Sequence, residues 1–168
     1  RNSGVMIGGV VFTVRTTSAG DEQLFTLGRI LQPASEVPDA FFIAKKDLPQ
    51  WRYLKGSKKE PRTVGTNGHR YAYSEGAMVF PDPLDRPSRT IITGEGGRSP
   101  SRFKHVVSPD GKRFRRLTPV ELERLNMFPD GHTEGMSDSW RAFFMGNALV
   151  VGVVERIGKE LLAAATNR

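Results

Sequence analysis

A glycine-rich loop beside three cationic residues is the first candidate for a binding site, because its residue types and spacing suit contact with phosphate groups. It reads Gly-Glu-Gly-Gly-Arg-Ser over residues 94–99. Ser99 replaces the third glycine of a dinucleotide-binding fingerprint, and the Gly-Lys-Ser/Thr ending of a P-loop is missing. Its small residues would let the backbone approach nucleic acid while nearby cations supply charge, unless it is a flexible surface turn. The residues concerned are Gly94, Gly96, Gly97, Arg98, Ser99, Arg102 and Lys104.

Asn147 is a second candidate because it lies between two predicted helices. An asparagine in that position commonly caps the following helix. The same geometry would leave backbone N–H groups at the helix start free to face a carboxylate or a phosphate. Both interpretations remain open.

The sequence offers little else for catalysis or metal binding. The three histidines have no metal-ligand spacing, so no metal site is expected. The absence of cysteine excludes a disulfide scaffold and thiolate-bound metals. The acidic residues Glu75, Asp82 and Asp85 flank glycines and prolines, where turn chemistry explains them. No catalytic centre is therefore predicted from these residues alone.

Charge is concentrated in two segments. The net charge is +7, and residues 86–116 contain nine basic and two acidic residues. Residues 45–62 contain seven basic and two acidic residues, so the rest of the chain is acidic. Two basic segments favour a nucleic-acid partner, the alternative being two solvated loops.

Turns and short strands are expected over the first two thirds of the chain. With 168 residues, 18 glycines and 11 prolines, one or two small domains with many irregular loops are predicted. No apolar run is long enough for a membrane span. A short helix is predicted at 24–31, a basic, turn-rich stretch at 47–67, and a turn at 108–112. Strands are predicted at Val10–Arg15, Tyr71–Phe80, Ser88–Thr93, Phe103–Val107 and Phe114–Leu117.

Helices are expected from Thr118 onward. Thr118-Pro-Val-Glu121 is a capping-box pattern. A second helix is predicted from near Ser139 to Met145, ending at Gly146. The last begins after Asn147, and its broad apolar stripe suits packing against a large surface.

Three blocks of this sequence resemble, in order, blocks of DNA cytosine-5 methyltransferases. Residues 87–93 read Pro-Ser-Arg-Thr-Ile-Ile-Thr, and residues 115–130 contain Arg-Arg-Leu-Thr-Pro and Met-Phe-Pro-Asp. Residues 145–158 read Met-Gly-Asn-Ala-Leu-Val-Val-Gly-Val-Val-Glu-Arg-Ile-Gly, with Gly152 where the family commonly has proline.

The resemblance implies an α+β fold. We expect a small, mostly β target-recognition domain with irregular loops over 1–130, in which 115–130 is the scaffold block. Residues 131–168 would be a closing helical segment that completes an α/β methyltransferase domain binding S-adenosylmethionine. Together they would recognise duplex DNA and complete the cofactor site for C5-methylation of cytosine.

The resemblance also carries over roles for individual residues. Gly146, Asn147 and Ala148 would border the methionine-carboxylate end of the cofactor, and Phe128 would take the aromatic position near it. Arg89 and Thr90, together with the 94–104 loop, would face DNA. Three further residues, expected to hold the scaffold together, are Arg115, Glu121 and Arg124.

The family's catalytic Pro-Cys, Glu-Asn-Val and Phe-x-Gly-x-Gly blocks are missing from this sequence. The cysteine attacks C6 of the base so that C5 becomes nucleophilic, and the base must leave the duplex. The chain alone is therefore expected to be inactive.

The expected partners are duplex DNA and a catalytic domain or separate catalytic subunit. The enzyme would belong to a restriction–modification-type system in the cytoplasm of a bacterial or phage-infected cell. A non-catalytic DNA-binding module and an RNA-methylating relative are the alternatives.

Overall fold

The computed structural model describes residues 2–17, 25–64 and 68–166. They form a mixed α/β structure with two small sheets and helices toward the C-terminus. Short 3₁₀ helices occupy Leu27–Ile30, Asp39–Phe41 and Lys45–Asp47. The main elements are β1 (Asn2–Ile7), β2 (Val10–Arg15), α1 (Leu48–Lys55), β3 (Lys58–Val64), β4 (His69–Glu75), α2 (Pro119–Leu125), α3 (Asp138–Asn147) and α4 (Val151–Thr166).

The first sheet is the hairpin β1–β2. Gly8 and Gly9 both have positive φ, 55° and 82°, as a tight hairpin turn requires, and Ile7 pairs with Val10 across it. This confirms the predicted strand Val10–Arg15 and the turn before it. The partner strand β1 was not predicted. The apolar side chains described on both strands are exposed.

The second sheet follows a helix that the sequence did not indicate. Helix α1 lies in the stretch predicted to be turn-rich, with a proline in its first turn and with Trp51 and Lys55 buried. Strand β4 ends at Glu75, so the predicted strand Tyr71–Phe80 is wrong in its second half. Beyond Glu75 the chain is no longer part of the sheet, and the Met78 amide donates to the Lys55 carbonyl at 2.8 Å.

The predicted strands beyond residue 87 are wrong as regular strands. Val107 and Arg115 form only an isolated antiparallel bridge. The Val106 amide instead donates to the Asp82 carboxylate at 2.9 Å, and the Val106 carbonyl accepts from the Asp82 amide at 2.8 Å. The turn at 108–112 is confirmed by the Gly111 amide bonding to the Ser108 carbonyl. The strands that do not form are Ser88–Thr93, Phe103–Val107 and Phe114–Leu117.

The helices match the sequence pattern more closely. The capping box is confirmed, because the Glu121 amide donates to Thr118 Oγ1 and the Thr118 amide donates to Glu121 Oε2. Helix α3 starts at Asp138 and extends one residue past Gly146. The interpretation of Asn147 as the cap of the last helix is wrong, because Asn147 ends α3 and donates to the Phe143 carbonyl. Of the helix predicted at 24–31, only the 3₁₀ helix Leu27–Ile30 is present. Leu24 lies outside the described residues.

One buried apolar cluster connects the N-terminal loops with α2 and α3. It therefore draws on both sides of residue 130, and the predicted domain boundary there stays a prediction. The members are Leu27, Ile30, Val107, Leu117, Leu122, Ala142 and Met145.

Helix α4 leaves its apolar side chains exposed, with Leu161 and Leu162 at 66% and 70%. Among the described residues, no helix has the length and hydropathy needed to cross a membrane. The other exposed apolar residues of α4 are Val151, Val153, Val154 and Ile157.

Candidate functional site

A cleft of about 570 Å³ lies where the 88–91 segment meets the end of α2 and the α3–α4 junction. Arg89 and Thr90 line the cleft together with Gly146 and Ala148. Residues that the sequence assigns to DNA contact and to the cofactor therefore face the same space. This cleft is the candidate functional site.

Gly146 packs directly on the backbone of the 92–93 segment. A Cβ at this position would lie 2.5 Å from the Ile92 carbonyl carbon and closer still to the Thr93 amide nitrogen. No side chain fits at that separation without a backbone shift. The glycine therefore holds the end of α3 against the segment that follows Thr90.

Asn126 joins the three helices around the cleft. Its side-chain amide donates to the Met145 carbonyl at 2.7 Å, and its backbone carbonyl accepts from the Val151 amide at 2.9 Å. Asn126 is buried, and an asparagine just after a helix gives no sequence signal of such a role. The side chain of the next residue, Met127, occupies the space above Gly152, where a Cβ would lie 2.6 Å from the Met127 sulfur.

The other predicted cofactor residues lie beside the cleft. The Phe128 ring stacks on His132 with 4.5 Å between centroids and packs against the buried cluster. The Asn147 side chain is exposed and bonded within α3. Among the described residues, the structure brings Gly146 and Ala148, but not Phe128 or Asn147, into the lining. A role in binding the cofactor stays a prediction for all four.

Arg89 is held by a buried carboxylate. Its Nε donates to Asp82 Oδ1 at 2.7 Å, and its Nη1 donates to the Phe103 carbonyl at 3.2 Å. Burial alone would raise the pKa of Asp82, but the Arg89 hydrogen bond and the Val106 amide hold that pKa below its ordinary value. Asp82 is therefore an anchor rather than a turn residue, and Arg89 presents only part of its guanidinium to the cleft.

Arg102 bonds within the protein. It donates to the carbonyls of Leu54, Gly56 and Gly76 and lies 3.2 Å from the Glu75 carboxylate. The sequence treats Arg102 as charge offered to DNA, whereas the structure uses its donors to attach the 94–104 loop to β4 and to the end of α1.

Lys104 also has internal partners. Its Nζ donates to the carbonyls of Gly97 and Ser99, at 3.2 and 2.9 Å. Burial, and then the nearby Arg116 guanidinium, lower the pKa of Lys104. Contact between DNA and either Arg102 or Lys104 stays a prediction, and their geometry does not favour it.

The outer part of the 94–104 loop is open to solvent. Gly94, Gly97, Arg98 and Ser99 are exposed, and Arg98 makes no hydrogen bond or ion pair with the described residues. Gly96 instead faces inward, where a Cβ would lie 2.8 Å from the Ser139 α-carbon. Gly96 is thus needed for packing against α3, and Arg98 is the loop cation best placed for an external anion.

His105 lies in a buried chain of polar groups. Its Nδ1 is 2.9 Å from Glu95 Oε1, and its Nε2 is 3.1 Å from Ser88 Oγ. This order resembles a nucleophile, base and carboxylate. However, the Ser88 hydroxyl donates to the Arg89 carbonyl at 2.8 Å, and His105 is completely buried. The chain braces the 88–105 region, which sequence spacing could not reveal.

The three predicted scaffold residues lie within α2 or bond to it. Arg115 and Glu121 form a buried two-bond ion pair at 2.8 and 2.7 Å, and Glu121 also accepts from the Gln32 amide. Arg124 bonds to Asp130 and to the Ile30 carbonyl.

Glu123 is a further scaffold residue that the sequence did not indicate. Buried in α2, it accepts from the Gly131 and Thr133 amides and from Arg141 of α3. Burial alone would raise its pKa, but bonds from Thr133 and Arg141 and from the two amides hold it below its ordinary value. A glutamate in an amphipathic helix gives no sequence sign of this position. Within the described residues, no three His, Cys, Asp or Glu side chains converge as metal ligands.

The mixed α/β frame, with the 87–93 block packed on the glycine of the 145–158 block, is compatible with a fragment of a DNA methyltransferase. The sequence matches the C-5 cytosine-specific DNA methylase family over residues 20–163. The chain belongs to that family, which confirms the resemblance at this level.

A type II methyltransferase of Staphylococcus aureus, M.Sau3AI, is 43% identical over 160 residues. The match covers 95% of this chain and 37% of the relative, so the chain spans little more than a third of that protein's length. No solved structure matches the chain significantly.

Proposed function

We propose that this chain recognises the DNA target and forms one wall of the S-adenosylmethionine site for C5-methylation of cytosine in duplex DNA. The cleft between Thr90 and Gly146 carries the proposal, because it joins the segment assigned to the target base with the residues assigned to the cofactor. The exposed Arg98 supplies charge for the DNA backbone.

The residues of the cleft fit the methionine end of the cofactor. Gly146 and Ala148 leave room beside the α3–α4 junction, and Ile91 and Val150 add apolar lining. The bound cofactor supplies the methyl group from its sulfonium. The role of this chain is to form the wall of the cofactor site and to hold that wall against the 88–93 segment.

A separate catalytic part must supply the nucleophile, because this sequence contains no cysteine. The exposed apolar side chains of α4, including Val153 and Ile157, suit packing against such a part. That part could be another region of the same polypeptide or a second subunit.

The test is methyl transfer from labelled S-adenosylmethionine to duplex DNA. The chain is assayed alone and with a cysteine-containing catalytic part, such as the remainder of the Staphylococcus aureus relative. Activity is expected only in the mixture. Ile157→Lys should abolish it by charging the apolar face of α4, whereas Lys159→Ala, which alters an exposed ion pair on α4, should not.

Two results would contradict the proposal. Activity from the chain alone would show that the reaction does not need the missing cysteine. No activity in the mixture, together with DNA binding unaffected by S-adenosylmethionine, would favour a non-catalytic DNA-binding module. Preference for methylating structured RNA over duplex DNA would favour an RNA-directed enzyme.

A further inference from the structure

The two faces of the β3–β4 hairpin differ in exposure. Cross-strand partners share a face. The pairs Lys59–Ser74, Pro61–Ala72 and Thr63–Arg70 therefore form one side. All six of these residues are exposed. We call this side the outer face of the hairpin.

The opposite face uses its charged groups internally. Lys58 and Glu75 form an ion pair at 3.3 Å. The Arg62 guanidinium carbon lies 3.4 Å from the centroid of the Tyr73 ring, and the Tyr53 hydroxyl donates to Glu60 at 3.2 Å. These contacts stiffen the hairpin and leave few groups on that face for a ligand.

The outer face offers its charge to the outside. Lys59 and Arg70 are its charged residues, and both are cations. Neither makes a hydrogen bond or ion pair with the residues that the structure describes. The small side chains of Ala72 and Ser74 leave the backbone open to close approach. The outer face is therefore complementary to a polyanion, such as a nucleic acid, that carries hydrogen-bonding groups on its base edges.

The base of the hairpin is fixed to the rest of the chain. Arg102 holds Glu75 by an ion pair, and it holds Gly56 and Gly76 through their carbonyls. Lys58 also donates to the Leu54 carbonyl at the end of α1. These contacts of Arg102 and Lys58 clamp both strands at the base of the hairpin. The outer face therefore has a fixed orientation relative to α1 and the 94–104 loop.

We propose that the outer face of the β3–β4 hairpin enters the major groove of the target DNA. Arg70 reads a base edge there, and Lys59 contacts a backbone phosphate. The major groove is about 12 Å wide and about 8.5 Å deep and admits a two-stranded ribbon. Seven-residue strands extend roughly 20 Å, enough to reach its floor. This inference rests on the proposed function and names the element that reads the sequence.

Position along the hairpin separates the two roles. The Thr63–Arg70 pair is one step from the Val64–His69 pair nearest the turn, so Arg70 goes deepest into the groove. An arginine there can bond both O6 and N7 of a guanine. Lys59 lies one pair from the clamped end, at the height of the groove edge, where phosphates are.

Duplex DNA fits this face better than RNA. The major groove of an A-form RNA helix is deep and too narrow for side chains to read. A two-stranded ribbon with an arginine near its turn suits the wider groove of B-form DNA.

The test uses the full chain in a selection from random-sequence duplexes, followed by titration of the selected site at several salt concentrations. Wild type should select a site containing a guanine. Arg70→Ala should lose that preference at one base pair, with a fall in affinity of about fivefold to hundredfold. Lys59→Ala should weaken binding to all sequences alike and lower the salt slope by about 1.

Two matched variants separate base reading from charge. Arg70→Lys keeps the charge but not the planar pair of donors, so it should weaken the guanine preference and keep the salt slope. Lys159→Ala removes the same charge from α4 and should change neither property.

The outcomes also separate this inference from the proposed function. If wild type does not bind duplex DNA, both fail. If wild type selects a site and the Arg70 and Lys59 variants behave like wild type, the hairpin assignment is overturned and the proposed function stands. Tighter binding to structured RNA than to any duplex would also overturn the assignment.

Discussion

The Arg102 guanidinium lies 3.2 Å from the Glu75 carboxylate and thereby joins the 94–104 loop to the last residue of β4. Because Arg102 also donates to the Leu54, Gly56 and Gly76 carbonyls, one side chain serves four acceptors. Lysine cannot reproduce this planar set of donors. The hairpin is therefore oriented chiefly by this arginine.

Replacing Arg102 should loosen the hairpin without unfolding the chain. Arg102→Lys and Arg102→Ala leave carbonyls without a donor, at about 1–3 kcal/mol for each one that stays buried. Hydrogen exchange should become faster in β3 and β4. The β1–β2 hairpin supplies the internal control, since its amides should keep their rates. Equal acceleration in both hairpins would indicate a global effect instead.

Adding one methyl group at Gly146 should destabilise the chain. Gly146→Ala places a Cβ against the Ile92–Thr93 backbone, so the end of α3 must move, at about 1–3 kcal/mol. A Cβ on Gly158 in α4 would meet no atom within 4 Å, and Gly158→Ala should stabilise by up to about 1 kcal/mol. Urea unfolding of both variants measures the difference. An unchanged midpoint for Gly146→Ala would show that the contact is not tight.

Loss of one buried charge should be costly. Glu121→Gln leaves the Arg115 guanidinium buried without its counter-ion, for which about 3–5 kcal/mol of destabilisation is expected. Glu155→Gln changes an exposed pair with Lys159 and should leave the free energy of unfolding nearly unchanged. The free energies of unfolding in urea at neutral pH make the comparison. Similar values for the two variants would contradict the structural role given to Glu121.

Stability should increase with pH above 8 because of Lys55. Burial lowers the pKa of Lys55 from 10.5 to about 8, although its ammonium donates to the Lys104 and Arg102 carbonyls. Between these values the unfolded chain holds more protons than the folded chain, so raising the pH favours folding. The gain between pH 8 and 10.5 is on the order of 3 kcal/mol.

Lys55→Met keeps the packing and removes the titrating group, so it should flatten this part of the stability profile. Urea unfolding at intervals from pH 7 to 10.5 is the measurement. The unfolding free energy of the variant should still rise slightly with pH, because Lys104, whose pKa is also lowered, remains. A profile for Lys55→Met as steep as that of wild type would contradict the assignment.

Local patterns predicted the elements that local chemistry controls. The capping box at Thr118 and Glu121, the turn at Gly8 and Gly9, and the limits of α3 each depend on neighbouring residues. The family resemblance pointed to Gly146 and Ala148, which line the cleft. The cap, the turn and the helix were predictable because each is encoded by a few consecutive residues, whereas the cofactor role of Gly146 and Ala148 stays a prediction.

The remaining features depend on contacts between distant residues. Strand β3 reads Lys-Lys-Glu-Pro-Arg-Thr-Val without apolar alternation, since cross-strand polar pairs and Arg102 stabilise its hairpin. The strand predicted at Phe103–Val107 fails because the carboxylate of Asp82, 24 positions away, takes the Val106 amide. The charge of Arg102 is visible in the sequence, but its acceptors lie in the 54–56 and 75–76 segments, which only the fold brings near.

The outer face of the β3–β4 hairpin contributes nothing to the buried cluster, and the clamp that orients it acts at its base. Substitutions at Lys59, Thr63 or Arg70 should therefore change folding free energy by no more than about 0.5 kcal/mol. Substitutions on the outer face can therefore change the contacts of the hairpin with a ligand without the loss of stability that most substitutions cause. Under the proposed groove contact, a lineage with this architecture can change its recognised sequence in single steps, each producing a chain that still folds.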